Sequence, residues 1–77
     1  MPTIFINGYK FRFYSSDVSE PPHVHVIQAE RVAKIWLGSL EIEYNHGYNK
    51  AELNKVLKLT EKNEAQLLEA WHEYFDR

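Results

Sequence analysis

Two histidines stand two residues apart behind a pair of prolines, in the run Glu20-Pro21-Pro22-His23-Val24-His25-Val26. On an extended strand this alternation puts both imidazoles on one face, about 7 Å apart. Imidazoles placed so suit three kinds of chemistry. As an acid and a base they would cleave a phosphodiester, with Lys34 on the developing negative charge. Both roles need little tuning, because histidine titrates near neutrality. As ligands they would hold a transition metal, but zinc sites normally draw on three or four protein ligands. Glu20 just upstream, Glu41 or Glu43 across the sheet, and His46 offer a third. As polar members of a surface they would contact a partner. The alternation stops at Ile27, so it does not make a histidine-triad nucleotide-hydrolase motif.

The elements that must position these residues are legible in the periodicity. Asn7-Gly8 between alternating apolar runs signals a two-residue hairpin, because a type I′ turn needs positive φ twice. It predicts a hairpin over 3–14 with Ile6 opposite Tyr9 and Ile4 opposite Phe11. Ile4, Ile6, Tyr9, Phe11 and Phe13 then share an apolar face, and Phe5, Lys10, Arg12 and Tyr14 the other. Ser15 to Pro22 reads as a polar loop.

A meander over 23–44 follows. Its first turn, at Ala29-Glu30, fits two or four residues, and either length sets Ile27 opposite Val32. Gly38-Ser39 suits a type II′ turn into a strand from Leu40 to Tyr44. That register sends Leu40, Ile42 and Tyr44 to the core. On the outer face it makes two transverse rows, His23-Trp36-Glu41 and His25-Lys34-Glu43.

Asn49 reads as a helix N-cap with Glu52 completing a capping-box-like pair. Leu53, Val56, Leu57 and Thr60, then Leu67, Leu68, Trp71 and Phe75, recur at helical spacing. Asn63 and Gln66 look like a second cap pair, so two helices are expected, 50–62 and 64–75. The fold class is α+β: an antiparallel sheet of about five strands, then a helical hairpin packed on one face.

Composition bounds the rest. Seventy-seven residues make one small domain, and 44% hydrophobic content can supply its core. The chain contains no cysteine, which excludes disulfides and thiolate zinc sites. No run approaches the roughly 18 apolar residues of a membrane span, and no secretory signal is visible. A cytoplasmic setting is expected. The net charge of −2 argues against DNA as sole partner.

Several stretches together resemble a family of small bacterial proteins, domain of unknown function 4160. They are Met1-Pro2-Thr3-Ile4, Gly8-Tyr9-Lys10-Phe11, Phe13-Tyr14-Ser15, Glu20 through Val26, and Ala33-Lys34-Ile35-Trp36-Leu37. Asn45, Gly47, Glu52-Leu53 and Trp71-His72-Glu73-Tyr74-Phe75 also fit. One departure is Ala29-Glu30, where relatives tend to carry glycine. The resemblance implies no established activity. It implies genes lying beside those of domain of unknown function 2442, and so a toxin–antitoxin-like module or an obligate protein pair.

The outer sheet face is therefore expected to bind a protein partner encoded by a neighbouring gene, or a second copy. Phe5, Tyr14, Ile27, Val32 and Trp36 leave it too apolar to stand bare. Arg12, Tyr14, Glu20, Trp36 and Glu43 are the expected binding residues. The competing expectation is a ribonuclease acting on RNA with His23, His25 and Lys34 as catalytic residues. A further one is a metal-binding protein with His23 and His25 as ligands. Sequence alone assigns neither a cofactor nor a complete ligand set.

Overall fold

The computed structural model describes residues 3–75. Five strands form one antiparallel sheet in sequence order: β1 Thr3–Ile6, β2 Tyr9–Arg12, β3 His23–Gln28, β4 Arg31–Trp36 and β5 Ile42–His46. Two helices follow, α1 Lys50–Lys62 and α2 Glu64–Phe75. No described helix is long and apolar enough to cross a membrane.

The first hairpin has the register that Asn7-Gly8 dictates. Ile6 pairs with Tyr9 and Ile4 with Phe11. Both turn residues adopt positive φ, Asn7 at 50° and Gly8 at 85°. The second hairpin closes in two residues, since Gln28 pairs with Arg31. Ala29 there sits at φ 55°. A side chain in that left-handed region costs roughly 1–2 kcal/mol relative to the right-handed one, which accounts for glycine being the better residue at this turn.

One face of the sheet is the core face. Tyr9, Phe11, Val24, Val26, Ala33 and Ile35 are buried on it, with Val56 and Leu59 of α1 and Leu67 and Trp71 of α2. The Trp71 indole meets Phe13 edge-on at 5.3 Å. Tyr48 is buried as well and donates its hydroxyl hydrogen to the Val26 carbonyl at 3.0 Å. Burial pushes that phenol up to about 12.

The first helix cap forms as predicted: Asn49 Oδ1 accepts the Glu52 N–H at 2.8 Å. Asn63 acts otherwise than as a cap paired with Gln66: it ends α1, its side-chain amide donating to the Leu59 carbonyl at 2.9 Å. Glu52 departs from the capping-box expectation. Its carboxylate accepts from Tyr9 Oη at 3.2 Å and from Arg31 at 2.9 Å. It therefore ties α1 to β2 and β4 rather than closing back on the cap.

The third turn and the last strand correct the sequence reading. Leu40 N–H reaches the Trp36 carbonyl and Trp36 N–H reaches the Glu41 carbonyl, each at 2.9 Å. The loop is thus longer than a type II′ turn. Leu37 is buried and Leu40, at φ 61°, packs against the core. Seating both leucines takes more chain than two residues supply.

Strand β5 then begins at Ile42 and carries a bulge. Ile35 pairs with Ile42 but Lys34 pairs with Tyr44, so Glu43 is the extra residue. One inserted residue reverses the faces of everything after it. Tyr44 consequently lies on the histidine face instead of in the core. The predicted row His25-Lys34-Glu43 becomes His25-Lys34-Tyr44.

The strain at the second turn is testable. Ala29→Gly is expected to raise stability by about 0.5–1 kcal/mol, because relief of the left-handed strain exceeds the added unfolded-state entropy. Urea unfolding checks it; an unchanged or lower midpoint at constant slope contradicts it.

Candidate functional site

The segment expected to be a polar loop is a 3₁₀ turn, Ser15–Ser19. It folds over the outer face at the histidine end of β3. Tyr14 N–H donates to Asp17 Oδ2 at 2.8 Å, which fixes the carboxylate. Asp17 is thereby buried, 7% exposed, over a sheet face rather than in solvent.

Two imidazoles meet it there. His23 Nε2 lies 3.1 Å and His25 Nε2 3.4 Å from Asp17 Oδ2. His23 is 0% and His25 8% exposed. One ligand atom from each of Asp17, His23 and His25 lies within 4.8 Å of the other two. Neither Nε2 makes a hydrogen bond, although the carboxylate is near enough; both are buried polar atoms without a partner. Such orphans are uncommon in folded proteins and mark a place where something is bound or stored.

The opposite ring nitrogens are tied down. His23 Nδ1 is 2.9 Å from the Pro21 carbonyl, which can only accept, so Nδ1 carries the hydrogen. In the neutral ring Nε2 is then a bare lone pair facing a carboxylate. His25 Nδ1 contacts Tyr44 Oη at 3.3 Å. The β5 bulge put Tyr44 on this face, so the bulge supplies this support.

Aromatic rings seal the site. His23 is packed by Trp36 at 5.2 Å and Trp71 at 5.1 Å, and Tyr14 stands edge-on to His25 at 4.8 Å. Burial lowers the pKa of His25; the Asp17 carboxylate opposes that, while His23 and Lys34 add to it. His25 is therefore held toward its neutral form.

The remaining predicted residues surround this centre. Lys34 Nζ donates to Glu20 Oε1 at 2.7 Å and stands 4.8 Å from the centre of the Trp36 ring. That hydrogen bond from Lys34 holds the Glu20 carboxyl below its ordinary range. Glu20 Oε1 is 3.8 Å from His23 Nδ1, on the side away from Asp17. Glu43 accepts the Trp36 indole N–H at 3.1 Å. Arg12 donates to Thr3 Oγ1 at 3.0 Å, across the β1–β2 pair and away from the centre.

His23, His25 and Tyr14 thus come together, with Lys34, Glu20, Trp36 and Glu43 as an outer ring. The residue that sequence reading missed is Asp17. Its signal was present in Tyr14-Ser15-Ser16-Asp17, a carboxylate three residues into a turn that begins beside β2. Only the folding of that turn over β3 brings it to the histidines.

Residues 8–72 match the family described as "Domain of unknown function (DUF4160)". The chain belongs to this family. No curated protein and no solved structure matches the chain. The match to DUF4160 contains the whole centre, from Tyr14 through Tyr44.

The arrangement suits cation binding better than proton transfer to a substrate. Both free nitrogens point inward, and Lys34 is already engaged by a carboxylate.

The Pro21 contact makes a spectroscopic prediction. In ¹H–¹⁵N correlation spectra of the metal-free protein, His23 Nδ1 is expected to show the shift of a protonated ring nitrogen. An unprotonated Nδ1 contradicts the assigned geometry.

Proposed function

We propose that this member of DUF4160 is a metal-binding domain, with Asp17, His23 and His25 as the protein ligands of a divalent transition-metal ion. The observation that carries this reading is the pair of buried, unpartnered Nε2 atoms set 3.1 and 3.4 Å from one carboxylate oxygen. Around an ion with ligand bonds of about 2.0–2.2 Å, neighbouring ligand atoms at right-angle to tetrahedral spacing are about 2.9–3.5 Å apart. Both nitrogen–oxygen distances fall in that range, and the two imidazoles, whose ligand atoms lie within 4.8 Å of one another, would close together on the ion.

The supporting groups agree with it. A metal-ligating histidine almost always donates its other ring N–H to a carbonyl, carboxylate or water. Here Pro21 O and Tyr44 Oη face the two Nδ1 atoms. The donor set of two imidazoles and one carboxylate suits zinc, iron, cobalt or nickel. Calcium and magnesium prefer oxygen ligands alone.

An ion held by Asp17, His23 and His25 would tie the Ser15–Ser19 turn to β3. Within the toxin–antitoxin-like pairing that the family resemblance implies, we place this chain as a metal-stabilised binding partner rather than as the nuclease. The inward-turned histidines support that choice.

Titration with zinc or cobalt, followed by calorimetry and thermal unfolding, tests the proposal. Free metal at about 100 times Kd should stabilise the fold by about 2.7 kcal/mol. That corresponds to roughly 10–20 °C in melting temperature for a domain of this size. Cobalt should develop visible d–d absorption. Asp17→Asn and His25→Gln should each weaken binding more than about a hundredfold, and Tyr44→Phe about tenfold to a hundredfold. His72→Gln should change nothing. No heat and no thermal shift at saturating metal would overturn the reading, as would unaltered binding in both ligand variants.

A further inference from the structure

The loop from β4 to β5 and the proline pair before β3 enclose a pocket at the histidine end of the sheet. It is about 300 Å³ in volume and is lined by Pro21, Trp36, Leu37, Ser39 and Glu41. Ligand clefts run from roughly 300 to 1,000 Å³, so this one has room for a single side chain rather than a nucleotide. None of its lining residues is a proposed metal ligand, and the pocket stands apart from the metal reading.

What the pocket can recognise follows from which polar groups are already used. The Trp36 indole N–H donates to Glu43 at 3.1 Å, and the Gly38 N–H donates to Glu64 at 2.8 Å. The Glu41 N–H reaches Ser39 Oγ at 3.3 Å. Trp36 therefore has only its ring to offer a ligand. The Glu41 side chain is exposed and makes no ion pair among the described residues. An aromatic face and a free carboxylate both attract a cation.

The surroundings have the same sign. Among the described residues Glu43 and Glu64 also make no ion pair, and no lysine or arginine lines the pocket. Lys34, 4.8 Å from the centre of the Trp36 ring, is matched by Glu20 at 2.7 Å. A phosphate would meet these carboxylates as like charges. A polyproline segment carries carbonyls with no internal partner, and here the indole N–H that could serve one is taken.

The rest of the lining, Pro21 and the buried Leu37, is apolar and suits an aliphatic stem. Arginine combines such a stem with a planar cation that stacks on aromatic faces and with paired donors for a carboxylate. We propose that this pocket receives an arginine side chain of a partner protein. Its guanidinium lies on the Trp36 ring and bonds to Glu41, and its stem lies against Pro21 and Leu37.

Titration of the full chain with N-acetyl-arginine methylamide, followed in ¹H–¹⁵N spectra, tests this. Exposed ion pairs and cation–π contacts are individually weak, so the isolated residue is expected to bind with a Kd on the order of 1 mM. The Trp36 indole signal and the amides of Gly38 and Glu41 should shift together and saturate. The uncharged citrulline analogue and the lysine analogue should both bind more weakly. Glu41→Gln, a change at an exposed position, should weaken arginine binding about threefold or more. Glu30→Gln, in the turn at the far end of β3 and β4, should leave it unchanged, which separates the pocket from general attraction to an acidic protein. Absence of a saturable shift at Trp36 would overturn the proposal. So would citrulline or lysine binding as well as arginine, equal losses in the Glu41 and Glu30 variants, or tighter binding of a tetraproline peptide at the same signals.

Discussion

The structure depends on one carboxylate placed where a carboxylate is expensive. Asp17 is buried over a sheet face, and isolated ionised groups are not tolerated in such places. One backbone N–H, from Tyr14, and two imidazoles are what the fold sets around it. In the proposed reading a metal ion would supply the opposite charge, and by accepting lone pairs from both Nε2 atoms it would leave no orphaned nitrogen.

Much of the outer face can be understood as support for that centre. The bulge at Glu43 has no advantage for the core, because Ile42 is already paired with Ile35 before it. Its effect is to turn Tyr44 toward His25. The proline pair has a comparable role. Pro21 presents its carbonyl to His23 Nδ1, and the Pro22 carbonyl accepts the Leu37 N–H at 3.0 Å, which seats the entry of β3 on the turn after β4. Trp36 and Trp71 then exclude water from His23.

The core face has a separate logic, and a polar network works at its far edge. Glu52 bridges Tyr9 and Arg31, so the first turn of α1 is bound to two strands. Gly47 matters at the same corner. Its φ is 103°, and a Cβ there would stand 2.6 Å from the Arg31 side chain. A residue with a side chain would displace the guanidinium that Glu52 holds.

The sequence by itself determined the order and type of the elements, the first two hairpin registers and both helix boundaries. These rest on local rules: alternation, positive-φ turn residues, caps and helical spacing. It also singled out His23 and His25 as neighbours on one face, since strand parity needs only two residues of separation. The tertiary structure alone decided what those histidines face. Asp17 reaches them through a turn folding back over β3, and Tyr44 through a bulge that breaks the parity from which its orientation was inferred. Both depend on contacts between segments distant in the chain, and no periodicity within a strand can encode them.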